Sequence, residues 1–379
     1  MLSLAWTLLL VAYALLVLIV QGIPLYLARQ MPHPREPVEP APAAAPRVSV
    51  IIPARNEVHD LGRCLDSLLA QQYPALDHLV VDGGSTDGTR ELVQARAPKV
   101  QLIDEPPLPD GWVGKSWACW TGAQQARGEF LLFLDADVRV SPRAVWAAVD
   151  WAQRDRADLV TFGSRIEMVG VWEKIVLPFF IQMVLTYFRS PRVNLPHSRT
   201  AMANGQFMMI RRRAYDETGG HEAVRSRVIE DVAVAERLRA AGKVLRLGWA
   251  PELVTTRMYR SSGEMYEGLL KTASGVRFSA LRQVGFAVAL IVFYWLPLGV
   301  LPIGLWTGSL VVAGIGAFLW FALFGKHVVF TWAAQGPAGY GLLFPLAVGY
   351  YVVLVLVALG RGLRGRPVRW KGRSYRLGD

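Results

Sequence analysis

Cysteine is scarce in this 379-residue chain, with Cys64 and Cys119 the only two. That excludes a disulfide scaffold. Both lie on stretches of helical spacing with no paired pattern, and they read as reduced core thiols. Charged side chains make up only 19% of the chain, against about a quarter in soluble proteins. Asparagine occurs at Asn56, Asn194 and Asn204 alone, never as Asn-x-Ser/Thr. No repeat of solenoid period is present. With 53% of residues hydrophobic, disorder of the chain as a whole is excluded. The length suits two domains. Cations outnumber acids 41 to 30, which fits nucleic acid, a membrane surface or membrane-flanking segments. Only the location of the excess separates the three.

What the chain has in quantity is apolar length, and it is uneven. Residues 2–28 carry no charge and suffice for one helix across a hydrocarbon core. No Lys or Arg precedes this run, it exceeds a signal-peptide core, and the small residues from Ala41 to Ala45 lie too far downstream for cleavage. A retained anchor over 1–28 is expected. Arg29 and Arg35 follow it, so positive-inside reasoning places the next segment in the cytoplasm. Residues 29–46 hold six prolines and make a stiff linker. Residues 47–283 alternate short apolar runs with amphipathic stretches, as an aqueous domain should.

Residues 284–360 hold Lys326 and no acid. Spans are expected over 284–305, 307–325 and 340–360, with Pro297 and Pro302 kinking the first or making it re-entrant. The tail 361–379 carries seven cations and one acid, so most of the basic excess reads as a cytoplasmic, lipid-facing flank. No nucleic-acid-reading motif accompanies it. Three spans between a cytoplasmic domain and a cytoplasmic tail break the even count of crossings. Either one segment is re-entrant or 326–339 contains a further crossing.

Within 47–283 the order is strand, loop, helix, repeated. Val48 to Pro53 is a β-branched run ending in Ala-Arg-Asn-Glu, and 58–72 follows with helical spacing. His78 to Asp82 is a second strand, ending in Gly-Gly-Ser-Thr-Asp-Gly-Thr, where Ser85, Thr86 and Asp87 can cap the next helix. Val100 to Ile103 is a third strand and 115–127 a helix. Phe130 to Leu134 is the most hydrophobic strand and runs into Asp135-Ala-Asp137. Such alternation predicts a mostly parallel sheet covered by helices, with ligands outside the carboxyl ends of its strands.

On these residues the domain resembles the family 2 glycosyltransferases. The matching positions are Pro53, Asn56 and Glu57, then Asp82, Ser85 and Asp87, then Asp135 and Asp137, then Glu230-Asp231 in VIEDVAVAERL. The resemblance covers about 47–260. It implies an α/β GT-A fold, a nucleotide-sugar donor and a Mg²⁺ or Mn²⁺ cofactor. More narrowly, DGWVGKSWAC, ANGQFMMIRR, GGHEAV and TRMYR look like the membrane-bound enzymes that glycosylate carotenoid or hopanoid-type lipids. The usual family pattern has two acids after the second strand. Here Gly83 replaces the second, leaving Asp82 to reach base or ribose, with uridine the expected base.

The resemblance assigns Asp137 to the metal and Asp135 to metal or ribose, although two acids after a strand can also cap a helix starting near Ser141. Pro53 and Glu57 line the nucleoside pocket, while Asn56 shapes the turn. Lys115, at a helix start, faces phosphate. Asp231 is the general base and Glu230 helps raise its pKa. Arg257, Arg260, Gln206 and Trp117 are expected on the diphosphate or acceptor side. The Gln-x-x-Arg-Trp motif of sugar-polymerising members is absent, which points to one transfer per acceptor. Residues 175–188 are too short to span, and they suit either a buried helix or an interfacial one that guides a lipid acceptor. The implied activity is inverting transfer of a hexose, glucose from a UDP donor, to a carotenoid or other isoprenoid lipid. A polyprenyl-phosphate glycosyltransferase and a non-catalytic membrane scaffold are the alternatives.

Overall fold

The computed structural model describes residues 4–275, 279–364, 368–370 and 373–375. The chain forms two units. An α/β unit comprises residues 31–167 and 188–260 with the end of the chain, and an apolar helical unit comprises 1–30, 168–187 and 261–367. The boundary therefore falls at Arg260 rather than at residue 283. Helix Ser262–Gly275 buries Met265, Gly268, Leu269 and Leu270 within the helical unit.

Ten described strands of the α/β unit precede Arg260: β1 Val48–Ala54, β2 Leu76–Asp82, β3 Gln101–Asp104, β4 Phe130–Leu134, β5 Val138–Val140, β6 Leu159–Gly163, β7 Arg165–Ile166, β8 Phe207–Arg211, β9 Leu245–Trp249 and β10 Val254–Thr256. Seven form one sheet in the order β3-β2-β1-β4-β8-β6-β9. Only β8 runs against the rest, antiparallel to both β4 and β6. The mostly parallel sheet read from the sequence is the one found. β5, β10 and β7 make a second, small sheet.

All five residues of β4 are buried, as is every residue of β1 except Pro53. Strands covered on both faces explain their unbroken β-branched and apolar runs. Helices Val58–Leu69, Thr89–Gln94 and Gly114–Gln125 link successive parallel strands. The chain moves outward through β1, β2 and β3, then crosses back so that β4 pairs with the other side of β1. That reversal opens a crevice at the carboxyl ends of β1 and β4, where α/β sheets bind ligands. Ile51 pairs with Phe133, so two residues further on Pro53 stands level with Asp135.

Among the described residues the helical unit holds four helices long and apolar enough to cross a membrane: Leu4–Arg29, Ala280–Trp306, Leu310–Ala333 and Ala338–Leu363. Helix Leu310–Ala333 runs straight through residue 326, so the expected break there does not exist. Among the described residues three such helices follow Arg260. Helix Val171–Tyr187 packs among them with Ile175, Val176, Leu177, Phe179 and Gln182 buried. Arg366, Lys371 and Arg376 of the basic tail lie outside the described residues.

Both prolines of the second span are accommodated by donors from other helices. Proline lacks the N–H that would bond the carbonyl four residues back, and in an apolar unit that carbonyl has no water to turn to. Behind Pro297, a π-helical turn covers Ile291–Trp295, and the Phe293 carbonyl accepts from Gln21 Nε2 at 2.8 Å. Behind Pro302, the Leu298 carbonyl accepts from Trp320 Nε1 at 3.0 Å. Lys326 is buried with them and donates to Gln21 Oε1 at 3.1 Å, to Gln182 Oε1, and to His327 Nε2 at 3.2 Å. One ammonium thus ties three helices together.

Candidate active site

The crevice is floored by Asp135-Ala136-Asp137, immediately after β4. Opposite it stands helix Gly114–Gln125, whose buried face is made of small residues: Gly114, Ser116, Ala118, Cys119, Thr121, Gly122 and Ala123. A Cβ at Gly122 would come within 2.5 Å of the Ile51 side chain. Glycine there lets the helix lie close on β1, which carries Lys115, in its first turn, over the strand ends.

The Lys115 ammonium is 2.6 Å from Asp135 Oδ1 and 2.9 Å from Glu230 Oε1. Glu230 and Asp231 open helix Glu230–Ala240, and the Glu230 side chain is only 6% exposed. Asp231 accepts from the Gly205 amide at 2.7 Å through Oδ2 and from the Val232 amide at 2.8 Å through Oδ1. A Cβ on Gly205 would sit 3.1 Å from both Asp231 Oδ2 and Lys115 Nζ. Four segments therefore converge: the end of β4, the start of helix Gly114–Gln125, the loop before β8, and the start of helix Glu230–Ala240.

Electrostatics follow from this packing. Burial and the neighbouring Glu230 push the Asp231 carboxyl up to about 6, against the opposing pull of Lys115 and the two amides. Burial alone would lower the Lys115 ammonium, but Asp135, Glu230 and Asp231 outweigh it and hold it well above the usual lysine value. At neutral pH the cluster thus holds a protonated lysine beside a carboxylate poised near the working pH of a proton acceptor.

Asp137 turns the other way. Its Oδ2 accepts from Thr256 Oγ1 at 3.1 Å, and its carbonyl accepts from the Arg257 amide at 3.3 Å, which fixes the carboxylate against β10. Asp135 and Asp137 offer only oxygen ligands. Among the described residues no third His, Cys, Asp or Glu joins them in a metal-holding group. This small hard-oxygen set fits a divalent cation that takes its remaining ligands from diphosphate and water.

Other expected positions are engaged differently. The Asp82 side chain is fully buried and accepts from the Gly84 amide at 3.2 Å, the Ser85 amide at 3.2 and 3.3 Å, and Arg90 Nη1 at 3.0 Å. It organises the loop after β2 from beneath instead of presenting a carboxylate to base or ribose. Asn56, at φ 54°, accepts from the Thr86 amide at 2.9 Å and shapes the turn. Asp87 accepts from the Thr89 and Val58 amides, both at 3.1 Å. Glu57 precedes helix Val58–Leu69, and its amide donates to Thr89 Oγ1 at 2.9 Å.

Arg260 lies at the start of that same helix, forking Asp60 at 2.6 and 2.8 Å. Arg257 donates to the Glu167 carbonyl at 3.0 Å. Gln206 is buried in a polar knot, its Oε1 accepting from Ser164 Oγ at 2.8 Å and Asn204 Nδ2 at 3.1 Å. Trp117 stacks edge-on with Trp112 and donates to the Pro106 carbonyl at 2.9 Å. Of the sequence-derived set, Lys115, Asp135, Glu230 and Asp231 meet in one hydrogen-bonded cluster. Gly205 and Asn204 were missed, and the Asn-Gly pair ahead of β8 was the available signal.

Residues 49–219 match the family model described as Glycosyl transferase family 2. The match covers less than half of the chain. It ties β1, β2, β4 and β8 to one family pattern, whereas helix Glu230–Ala240 lies beyond the matched stretch. A 4,4'-diaponeurosporenoate glycosyltransferase of Staphylococcus haemolyticus is 26% identical over 59% of this chain and 60% of its own length. A protein of the same description from Staphylococcus aureus is 28% identical over 65% of this chain and 66% of its own. The chain thus matches less than two thirds of these curated relatives. A mannosyltransferase from Pyrobaculum calidifontis, solved with GDP-Man and Mn²⁺, superposes with a TM-score of 0.54 over 93% of this chain at 21% identity. That likeness bears on the fold, which is the GT-A type expected from the sequence.

Proposed function

We propose that this chain is a membrane-bound, inverting family 2 glycosyltransferase that moves a hexose from a nucleotide-sugar donor to an isoprenoid lipid. The observation that carries the reading is Lys115, which joins the Asp135 end of the crevice to the Glu230-Asp231 end within 2.9 Å. Donor diphosphate and acceptor atom must meet at one place for transfer, and this lysine stands at that place. Asp135 and Asp137 would hold Mg²⁺ or Mn²⁺, which when bound neutralises the charge of the departing nucleoside diphosphate. Lys115, at a helix N-terminus, binds the same diphosphate. Asp231, oriented by the Gly205 and Val232 amides, takes the proton of an acceptor hydroxyl. Glucose from UDP is the donor we favour. Pro53 and Glu57 border the nucleoside side of the crevice, while Asp82 supports it from below.

The acceptor class draws on the relatives named for a carotenoid acid. The four long apolar helices support membrane residence, and Arg29 after the first of them supports a cytoplasmic α/β unit. The test is incubation of the full chain in nanodiscs with radiolabelled UDP-glucose or GDP-mannose and an isoprenoid alcohol or acid. Labelled lipid is expected, and Asp231→Asn should abolish its formation from the alcohol. A carboxylate acceptor is already ionised, so survival of Asp231→Asn activity on the acid alone would assign the ester-forming reaction. Absence of lipid product from every donor, together with no nucleotide binding in calorimetry, would sink the proposal.

A further inference from the structure

From Lys174 through Tyr215 the chain contains no acidic residue. Elsewhere in the α/β unit acids are frequent and several exposed cations are ion-paired, as Arg213 is with Glu217 and Arg260 with Asp60. The middle of the acid-free stretch forms an open cleft of about 730 Å³, lined by Arg192, Leu195, Pro196, His197, Ser198, Arg199 and Thr200. Arg192, His197 and Arg199 are all exposed. Among the described residues no side-chain hydrogen bond or ion pair engages any of the three.

The loop that forms the cleft is tied down at both ends. Arg239, from helix Glu230–Ala240, donates to the Val193 carbonyl at 2.5 Å and to the Thr200 carbonyl at 3.2 Å, clamping both ends of the segment. Asn194 is locked to β9, donating to the Leu247 carbonyl at 3.0 Å and accepting from its amide at 2.9 Å. A half-buried arginine therefore holds the backbone, and two unpaired guanidinia and an imidazole project from it. Between them stands Leu195, an apolar side chain 54% exposed. Guanidinia suit phosphate oxygens in a forked geometry. The exposed leucine adds what an inorganic ion could not use, a contact for acyl chain.

We infer that this cleft is a binding site for the phosphate headgroup of an anionic phospholipid, with Arg192 and Arg199 on the phosphate and Leu195 against the first acyl carbons. The segment enters the aqueous unit only five residues after the apolar helix Val171–Tyr187 ends, which fits a headgroup-level position. The site needs no donor, metal or acceptor, so it is independent of the transferase reading. It does presuppose that the chain resides in a membrane.

The test titrates the full chain in neutral detergent with monomeric dihexanoyl phosphatidylglycerol, dihexanoyl phosphatidylcholine and inorganic phosphate, read by thermophoresis. Saturable binding of the phosphatidylglycerol is expected, with the other two at least tenfold weaker. A cation near an anionic lipid surface contributes about fivefold in affinity, so R192S/R199S should bind roughly 30-fold more weakly. Both positions are exposed, and an unchanged melting temperature would show that the variant folds. Leu195→Ser should weaken the lipid and leave phosphate unaffected. Equal affinity for inorganic phosphate, no preference over phosphatidylcholine, or undiminished binding by R192S/R199S would each overturn the assignment. Recovery of the chain in nanodiscs made only of phosphatidylcholine checks membrane residence separately.

Discussion

Lys115 Nζ lies 2.6 Å from Asp135 and 2.9 Å from Glu230, so one cation compensates acids that come from opposite ends of the crevice. Glu230 is the more buried of the two, and it depends on this partner more. Lys115→Met would take the cation away from a buried carboxylate, a change that costs roughly 3 kcal/mol. We expect a melting temperature lower by a few degrees and a drop of at least 100-fold in kcat/KM. Lys115→Arg should recover the stability more than the activity, because a planar fork cannot occupy the position of a point charge. A thermal melt and initial rates on both variants check this.

The Asp231 carboxyl, pushed up to about 6 by burial and Glu230, predicts an acid limb in the rate. Below that value Asp231 carries a proton and cannot accept one, so kcat/KM for a hydroxyl acceptor should fall about tenfold per pH unit. Above it, the carboxylate is ionised and the rate should level off. Initial rates from pH 5 to pH 8 at fixed ionic strength measure the limb. A rate flat through pH 6 would count against the base assignment.

Gly205 is expected to tolerate no side chain without cost to chemistry. Alanine there would place its Cβ 3.1 Å from both Asp231 and Lys115, forcing each to give by a few tenths of an ångström. Small misplacements of reacting groups can cost up to about 100-fold, so Gly205→Ala should lower kcat by roughly 10- to 100-fold. Donor affinity, measured by calorimetry, should change far less.

Metal removal should separate Asp135 from Asp137. Chelation is expected to abolish transfer, and added Mn²⁺ or Mg²⁺ to restore it. In Asp137→Asn the metal concentration for half-activation should rise at least tenfold. Thr256→Val, which removes the hydroxyl that orients Asp137 at 3.1 Å, should cause a smaller rise in the same direction. Activity titrated against each metal reads both effects.

Much of this architecture was legible in the sequence because periodicity and burial coincide. Phe130–Leu134 is a strand with the bounds its apolar run suggests, and the helix beginning at Glu230 starts at its acidic pair. Asp135, Lys115 and Asp231 converge because each ends or begins such an element. What the sequence hid was where polar side chains are used. Asp82 and Arg260 looked ligand-facing, yet Asp82 is held by Arg90 and its own loop amides, and Arg260 by Asp60, 200 residues away. Linear spacing carries no information on such pairings. The division between units was hidden for a similar reason. Helix Ser262–Gly275 has polar positions enough to read as aqueous, and only its packing assigns it to the apolar unit.

The bond from Gln21 to the Phe293 carbonyl changes what the first helix is. A leash can be shortened or exchanged for another apolar helix with little consequence, but this one supplies an amide to a proline-broken segment more than 270 residues away. Its oxygen also receives Lys326. Substituting a generic transmembrane anchor would strand a carbonyl and an ammonium together in hydrocarbon. Helix Leu4–Arg29 is a structural member of the bundle, not a tether to it.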